Sequence, residues 1–174
     1  MINVREYEAQ EKLKDQRSVY VRAIRPDDKT TILQGLSLFG EASWYKRFHG
    51  SKSSLTDQEL TFYTEIDYVH HVALLVLLKD NDQAIGGGRF IAYDDTVPSK
   101  GAELAFAVAD NFQGLGVGKI VLKHLIHIGR ETGIKLFEAD VIAENTAMMR
   151  VFEKSGLPIK KTPEGRNVHI TMTL

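Results

Sequence analysis

The strongest constraint on the fold is a strand, a glycine-rich turn and a helix that follow one another between residues 103 and 131. Residues 103–108 are an apolar run of strand length. Three alternating glycines follow within Gln113 to Lys119, and residues 117–131 then place apolar side chains on one half of a helical wheel. A packed helix that starts directly after a tight turn presents unpaired N–H groups and a positive dipole end. The segment therefore predicts a pyrophosphate site at the start of this helix.

The other apolar patterns predict a sheet flanked by helices. Residues 71–78 are an almost unbroken apolar run, and residues 84–93 are its hairpin partner across a polar turn. With 103–108 these runs predict three antiparallel strands. The remaining predicted elements are strands at 19–24, 135–142 and 168–173, and helices around 32–39, 42–48, 55–63 and 145–155. This order is typical of an α/β (α+β) domain with a mixed, mostly antiparallel central sheet.

The length of 174 residues fits a single domain, which we predict to cover residues 18–174. Residues 1–17 are charged and weakly patterned, so we expect a lead-in helix or a loose N-terminal extension there. A loop is expected at 94–101, around Pro98.

Composition excludes several classes of protein. There is no cysteine, which rules out disulfides, thiolate zinc sites and a cysteine nucleophile, and which fits a reducing cytoplasm. The net charge of -1 argues against a surface that coats nucleic acid, although it leaves room for a local basic patch. No segment has the pattern of a signal peptide or a membrane span. We therefore expect a cytoplasmic protein that acts without nucleic acid or membrane.

The glycine-rich turn does not fit the two common nucleotide motifs. A Rossmann fingerprint needs G-x-G-x-x-G after the first strand, whereas this chain has G-x-G-x-G late in the sequence. A P-loop needs G-x-x-x-x-G-K-S/T, whereas Gly118-Lys119 is followed by Ile120. A glycine-rich helix start without any ligand remains the alternative.

Gln113 to Lys119 resembles the Q/R-x-x-G-x-G/A motif with which the GNAT N-acetyltransferases bind acyl-CoA. The preceding strand is similar to that family too, as are the downstream Asn145, Ala147, Phe152, Glu153, Lys154 and Gly156. The resemblance covers about residues 18–174. Within the family, the chain is most similar to the bacterial protein-lysine acetyltransferases that modify acyl-CoA synthetases. The segments that carry this narrower resemblance are Ile24–Asp28, Ser43–Phe48, Leu55–Thr56, Ile66–Tyr68 and Ala102–Ala105.

The resemblance implies acetyl-CoA, or another acyl-CoA, as co-substrate and no metal. It places the pantetheine arm beside residues 104–108, where that strand would splay from the strand at 135–142. An N–H near Val108 would polarise the thioester carbonyl. Lys119 also suits a solvated helix face, and Asn145 also suits an N-cap. The residues assigned to the cofactor in this way are Phe106, Ala107, Val108, Gln113, Gly114, Leu115, Gly116, Val117, Gly118, Lys119, Asn145 and Phe152.

Glu103 is the candidate catalytic residue. In the protein-lysine branch a glutamate in the A-E-x-A context is the general base, and Ala102 to Ala105 has that pattern. The alternative is an exposed carboxylate at a strand end. Phe152 departs from the family, because many relatives place a tyrosine there as the general acid for the leaving thiolate.

Other polar side chains give weaker signals. His70-His71 and the pair His124 and His127 lack convincing carboxylate partners nearby in the sequence, so metal ligation is not predicted. In the family the segment Trp44–Arg47 often shapes the acceptor site, although Lys46 and Arg47 also suit an ordinary charged surface.

These observations predict an enzyme that transfers an acetyl group from acetyl-CoA to a primary amine by direct attack in a ternary complex. The first choice of acceptor is a protein lysine, such as one on an acyl-CoA synthetase. Two alternatives stay open, which are a small-molecule amine (a polyamine, an amino acid or an aminoglycoside) and a non-catalytic acyl-CoA sensor. The sequence does not decide between a monomer and a homodimer.

Overall fold

The computed structural model describes residues 1–50, 52–96 and 99–174. Within these ranges the chain forms one sheet and five α-helices, joined in places by short 3-10 turns. The strands are β1 (Glu8–Lys12), β2 (Ser18–Ala23), β3 (His71–Leu78), β4 (Ala84–Ala92), β5 (Gly101–Val108), β6 (Leu136–Ile142), β7 (Ile159–Glu164) and β8 (Asn167–Thr173). The helices are α1 (Lys29–Leu36), α2 (Glu41–Phe48), α3 (Asp57–Thr64), α4 (Val117–Glu131) and α5 (Thr146–Glu153).

The strands form one eight-stranded sheet in the order β1-β2-β3-β4-β5-β6-β8-β7. Neighbouring strands are antiparallel except for β5 and β6, which run parallel. The predicted α/β class, with a mixed and mostly antiparallel sheet flanked by helices, is confirmed. The three central antiparallel strands also lie where the apolar runs predicted them.

The unbroken apolar run of β3 is explained by its position, because both faces of this strand are covered. Val72, Leu74 and Val76 point into one core cluster together with the buried side chains of α4. Leu75 and Leu77 point into a second cluster, against which Ile32 of α1 packs. A strand that is buried on both sides needs apolar residues at every position rather than at alternate ones.

The helix α4 lies close to the sheet over Gly88 of β4. A Cβ atom at Gly88 would lie 2.6 Å from Val121 Cγ1 and 2.7 Å from Phe106 Cβ, so only glycine permits this approach. Helices α4 and α5 pack on this face, and α1 packs on the other, where Gly35 touches Ala84. The glycine-rich start of α4 is thereby fixed at the end of β5.

Two strands differ from the sequence analysis. Residues 8–12 form the edge strand β1, paired with β2, where we expected a lead-in helix or a loose extension. Residues 159–164 form β7 at the other edge, which the sequence analysis did not predict. Both are exposed edges, held by main-chain pairing rather than by an apolar pattern. Of the loop expected at 94–101, Val97 and Pro98 lie outside the described residues.

Within the described ranges, no helix combines the length and the apolar character that crossing a membrane requires.

Candidate active site

The site begins where β5 and β6 separate. The two strands pair only at Gly101–Glu103 of β5 and Leu136–Glu138 of β6. From Leu104 to Val108 the described chain offers β5 no partner on its β6 side, while its other side stays paired with β4. Phe106, Ala107 and Val108 therefore line an open cleft of about 310 Å³, and the predicted splay of the two strands is present.

The cleft runs to the glycine-rich start of α4. Gly114 and Gly116 have φ angles of 76° and 91°, a left-handed backbone that side chains disfavour. Gly116 is the N-cap, so the N–H groups of Val117, Gly118 and Lys119 have no partner within the helix. No atom lies within 4 Å of a Cβ built on Gly114, so the turn is open to a ligand. These features fit a diphosphate group.

The remaining residues of the loop hold its shape. Gln113 donates hydrogen bonds to Ser43 Oγ at 3.2 Å and to the Val108 carbonyl at 3.3 Å. The carbonyl of Leu115 accepts a 3.0 Å hydrogen bond from the N–H of Lys14. The Val117 side chain is buried in the core. Gln113, Leu115 and Val117 therefore position the loop, whereas the exposed Lys119 borders the cleft.

The other wall of the cleft is α5. Asn145 is its N-cap, since Asn145 Oδ1 accepts a 3.3 Å hydrogen bond from the N–H of Met148. Asn145 also lines the cleft, so the capping role and the proposed cofactor role are compatible. Phe152 is fully buried, with its ring centroid 5.4 Å from that of Phe106. It lines a neighbouring cavity but has no proton to donate.

Glu103 lies at the base of the fork, with its side chain exposed. It lines a cavity of about 350 Å³ together with Phe106, Asn145 and Phe152. The structure thus brings the candidate base and three of the candidate cofactor residues to one space. Within the described residues, no hydrogen bond or ion pair holds the Glu103 carboxylate, so it is free to accept a proton.

Several residues that border the site were given no role in it by the sequence analysis. Lys14, Arg150 and Lys154 line the cleft at its glycine-rich end and add positive charge there. Tyr63, His71 and Arg89 form a cluster with Arg47 on the other side of the sheet. No sequence pattern joins the four residues of this cluster, because each comes from a different helix or strand.

Two of the four histidines considered in the sequence analysis have carboxylate partners, contrary to the expectation stated there. His70 Nδ1 lies 3.1 Å from Asp67 Oδ2, and His124 Nε2 lies 2.7 Å from Glu11 Oε1. Glu11 lies on the edge strand β1, so its distance in sequence concealed the pairing. Apart from these, Asp140, Glu164 and His169 could each offer a ligand atom within 4.8 Å of the others, although exposed acidic groups commonly lie together without a cation.

Several known proteins with a related sequence or fold are named acetyltransferases. The model of the acetyltransferase (GNAT) family matches residues 41–157. The chain is 28% identical over 137 residues to acetyltransferase Pat of Mycolicibacterium smegmatis, a match that covers 79% of this chain and 40% of that protein. The chain therefore spans less than half the length of that relative.

One solved structure supports the same family, and a second shares the fold. The crystal structure of the GNAT domain of S. lividans PAT superposes with a TM-score of 0.89 at 30% identity, covering 96% of this chain and 97% of that one. The yncA protein of Salmonella typhimurium, a putative acetyltransferase solved with its cofactor acetyl-CoA, superposes with a TM-score of 0.70 at 18% identity, covering 90% and 92%. This second likeness concerns the fold alone.

Proposed function

Because the chain belongs to the GNAT acetyltransferase family, we propose that it transfers an acetyl group from acetyl-CoA to the side-chain amine of a protein lysine. The observation that carries the proposal is the separation of β5 from β6 directly after Glu103. It opens a cleft that leads from the glycine-rich start of α4 to an exposed carboxylate. The absence of cysteine supports a reducing compartment such as the cytoplasm as the place of action.

Acetyl-CoA would lie along the open side of β5. The main chain of Phe106, Ala107 and Val108 would bond the pantetheine amides, and the N–H groups of Gly114 to Lys119 would hold the diphosphate. Lys14, Arg150 and Lys154 line the same cleft, and their charge suits the phosphates. When bound, the co-substrate supplies an activated thioester, and the N–H near Val108 would polarise its carbonyl.

Glu103 would act as the general base. A lysine amine with a pKa near 10.4 is almost wholly protonated at pH 7, and making it neutral costs about 4.6 kcal/mol. Glu103 would accept that proton, directly or through a water molecule. The neutral amine then attacks the thioester carbonyl carbon, a C–N bond forms, the C–S bond breaks, and CoA leaves as its thiolate, while the second amine proton passes to solvent water as the amide forms.

Phe152 and the lack of cysteine limit the mechanism further. The family's usual general acid is a tyrosine at the position that phenylalanine occupies here, so the thiolate would leave without a proton from this side chain. A thiol with a pKa near 8.5 leaves readily as its anion. No cysteine is present to carry an acyl-enzyme, which supports direct transfer within a ternary complex.

The test is CoA release from acetyl-CoA with three kinds of acceptor, which are blocked lysine peptides, a folded acyl-CoA synthetase and a panel of small amines. We expect turnover with the protein or the peptides, and a strong loss in Glu103→Gln with unchanged acetyl-CoA binding. Turnover with small amines alone would favour the small-molecule alternative. Tight acetyl-CoA binding without turnover of any acceptor would favour the sensor. Either result would overturn the proposal.

A further inference from the structure

Two arginines meet on the face of the sheet that is covered by α1. Arg47 comes from α2 and Arg89 from β4, and their guanidinium carbons lie 5.8 and 4.4 Å from the centroid of the same Tyr63 ring. Both side chains are half-buried. They border a cavity of about 100 Å³ with mainly apolar walls, which include Phe39, Phe48 and Leu55. Two like charges at one small cavity repel each other, so this arrangement is unfavourable unless another group compensates for it.

Neither arginine forms an ion pair with a carboxylate in the part of the chain that the structure describes, although the charge of Glu103 reaches Arg47. Arg89 Nη1 instead donates to the Tyr63 carbonyl at 3.2 Å and lies 2.7 Å from His71 Nε2. Burial and the neighbouring Arg47 cation lower the pKa of Arg89 to about 9. Burial also lowers the pKa of Arg47. An anion between the two guanidinium groups would offset the cost of this partly desolvated, like-charged pair.

Arg89 is held in place rather than disordered by this repulsion. One of its nitrogens is fixed by the Tyr63 carbonyl and His71, and its plane lies over the Tyr63 ring. A guanidinium has five N–H donors in a fixed fork, so most of them stay free. Such a fork matches the two oxygens of a carboxylate.

Arg47 connects this cavity to the catalytic end of the site. It also lines the cavity that contains Glu103, and the Glu103 carboxylate favours the charged form of Arg47. An anion held between the two arginines would therefore lie close to the amine that Glu103 deprotonates. It would belong to the same acceptor molecule.

We propose that Arg47 and Arg89 form a carboxylate-binding subsite, so that the preferred acceptor carries a carboxylate close to its reactive amine. The inference rests on the proposed acetyl transfer and names its substrate class. A carboxylate can come from an aspartate or glutamate beside the acceptor lysine, or from the α-carboxylate of a free amino acid. The two sources share one chemistry, and the experiment separates them.

The experiment uses blocked peptides with a single lysine that differ only in Asp or Asn at positions one or two residues from it. Leucine and leucinamide form the second pair, and their turnover is compared at equal concentrations of neutral amine, because the amide lowers the α-amine pKa of leucinamide. Each acceptor is tested for kcat/KM, and its binding to the CoA-saturated protein is measured by calorimetry. The variants are Arg89→Gln and Arg47→Gln, each with its own folding check. Arg130→Gln, an exposed arginine on α4, removes the same charge elsewhere.

We expect the acidic peptides to be preferred at least about tenfold, because a desolvated charge pair loses that much when one partner becomes neutral. The preference should vanish in Arg89→Gln or Arg47→Gln and persist in Arg130→Gln. A preference for leucine over leucinamide with the same variant pattern would support the subsite and reject the protein lysine. Equal turnover and equal binding within both pairs would overturn the subsite while leaving acetyl transfer intact. If no acceptor turns over, equal binding of Asp and Asn peptides still overturns it.

Discussion

Glu103 and Glu138 are register partners at the last position that β5 and β6 share. Beyond them the strands separate, so the two carboxylates lie at the base of the fork. Glu138 is engaged by the Tyr93 hydroxyl, whereas within the described residues the Glu103 carboxylate has no such partner. The sheet thus leaves the Glu103 carboxylate open while the Glu138 carboxylate is engaged.

Glu103→Gln should reduce acetyl transfer at pH 7 by about 100-fold or more, since general base catalysis contributes on that order. The deficit should shrink as the pH rises toward the pKa of the acceptor amine, because more amine then arrives neutral. Calorimetry should show unchanged acetyl-CoA affinity. Glu138→Gln is the matched control and should keep most of the activity. A wild-type rate for Glu103→Gln at neutral pH would disprove the base assignment.

Gly116→Ala should weaken acetyl-CoA binding by about tenfold, because a side chain at a φ of 91° costs about 1–2 kcal/mol and turns the N–H groups of α4 away. Gly165→Ala is the control, as its φ of 62° imposes similar strain in the β7–β8 hairpin. Both variants should unfold at lower temperature, but only Gly116→Ala should lose affinity. Equal acetyl-CoA affinity in the two variants would argue against phosphate binding at this turn.

Lys14→Gln should raise the Kd for acetyl-CoA several-fold, since Lys14 borders the cleft near Gly116. The effect should fade at high salt, because screening weakens an exposed charge on a phosphate. Lys12→Gln removes the same charge from the exposed edge strand β1 and should leave the Kd unchanged. The measurement is calorimetric titration at low and high ionic strength. If neither substitution changes the Kd for acetyl-CoA, Lys14 does not contribute to binding the co-substrate.

Glu11→Ala should lower the free energy of unfolding by about 1–3 kcal/mol, because it leaves the buried His124 without an acceptor at Nε2. The Lys123 side chain is 64% exposed, so Lys123→Ala removes only an exposed partner of Glu11. This substitution should lower the free energy of unfolding by less than about 1 kcal/mol. Urea denaturation measures both. If both variants lower the free energy of unfolding equally, the buried contact between Glu11 and His124 contributes no more than the exposed one.

The contribution of Glu11 to the free energy of unfolding should also depend on pH. Burial alone would raise the pKa of Glu11, but hydrogen bonds from Lys123 and His124 outweigh it and hold the pKa below its usual value. The unfolded chain therefore takes up this proton at a higher pH than the native one. The stabilisation is complete above the ordinary carboxyl pKa of about 4.5 and is lost as the pH falls through the native pKa. Glu11→Ala should flatten the acid limb of the stability curve.

His71 should remain neutral at pH values well below 6.5, since burial and the Arg89 cation lower its pKa to about 4. Because the unfolded histidine titrates near 6.5, its contribution to stability is full above that pH and decreases from there to about 4. Imidazole chemical shifts across this range measure the native pKa directly. Arg89→Gln should move that pKa upward. Titration of His71 near 6.5 in the unaltered protein would contradict the structure.

Sequence patterns predicted the centre of the sheet well because burial imposes them. β3, α4 and the hairpin of β3 with β4 each have an apolar pattern set by a core on one or both faces. The edge strands β1 and β7 have no such pattern, since most of their side chains face solvent. Pro163 and two lysines in β7 disfavour a strand locally, and only pairing with β8 overrides them.

The candidate site divides along the same line. The candidate cofactor loop from Gln113 to Lys119 could be identified from the sequence because it is continuous and has a demanding glycine pattern. The acceptor side could not, because Arg47, Tyr63 and Arg89 meet only after three elements have folded together. From the sequence alone, Arg47 suits both an ordinary charged surface and the segment that often shapes the acceptor site in the family. Contacts between distant segments leave no periodicity to detect.

The fork between β5 and β6 has a consequence for the lifetime of the protein. From Leu104 to Val108 the described chain leaves one flank of a central strand without a neighbour, and the pantetheine amides would supply the missing partner. A ligand that binds only the native state stabilises it by about 2.7 kcal/mol at a concentration of 100 times its Kd. If acetyl-CoA binds in this cleft as proposed, the protein should resist proteolysis and thermal unfolding better with the co-substrate present than without it.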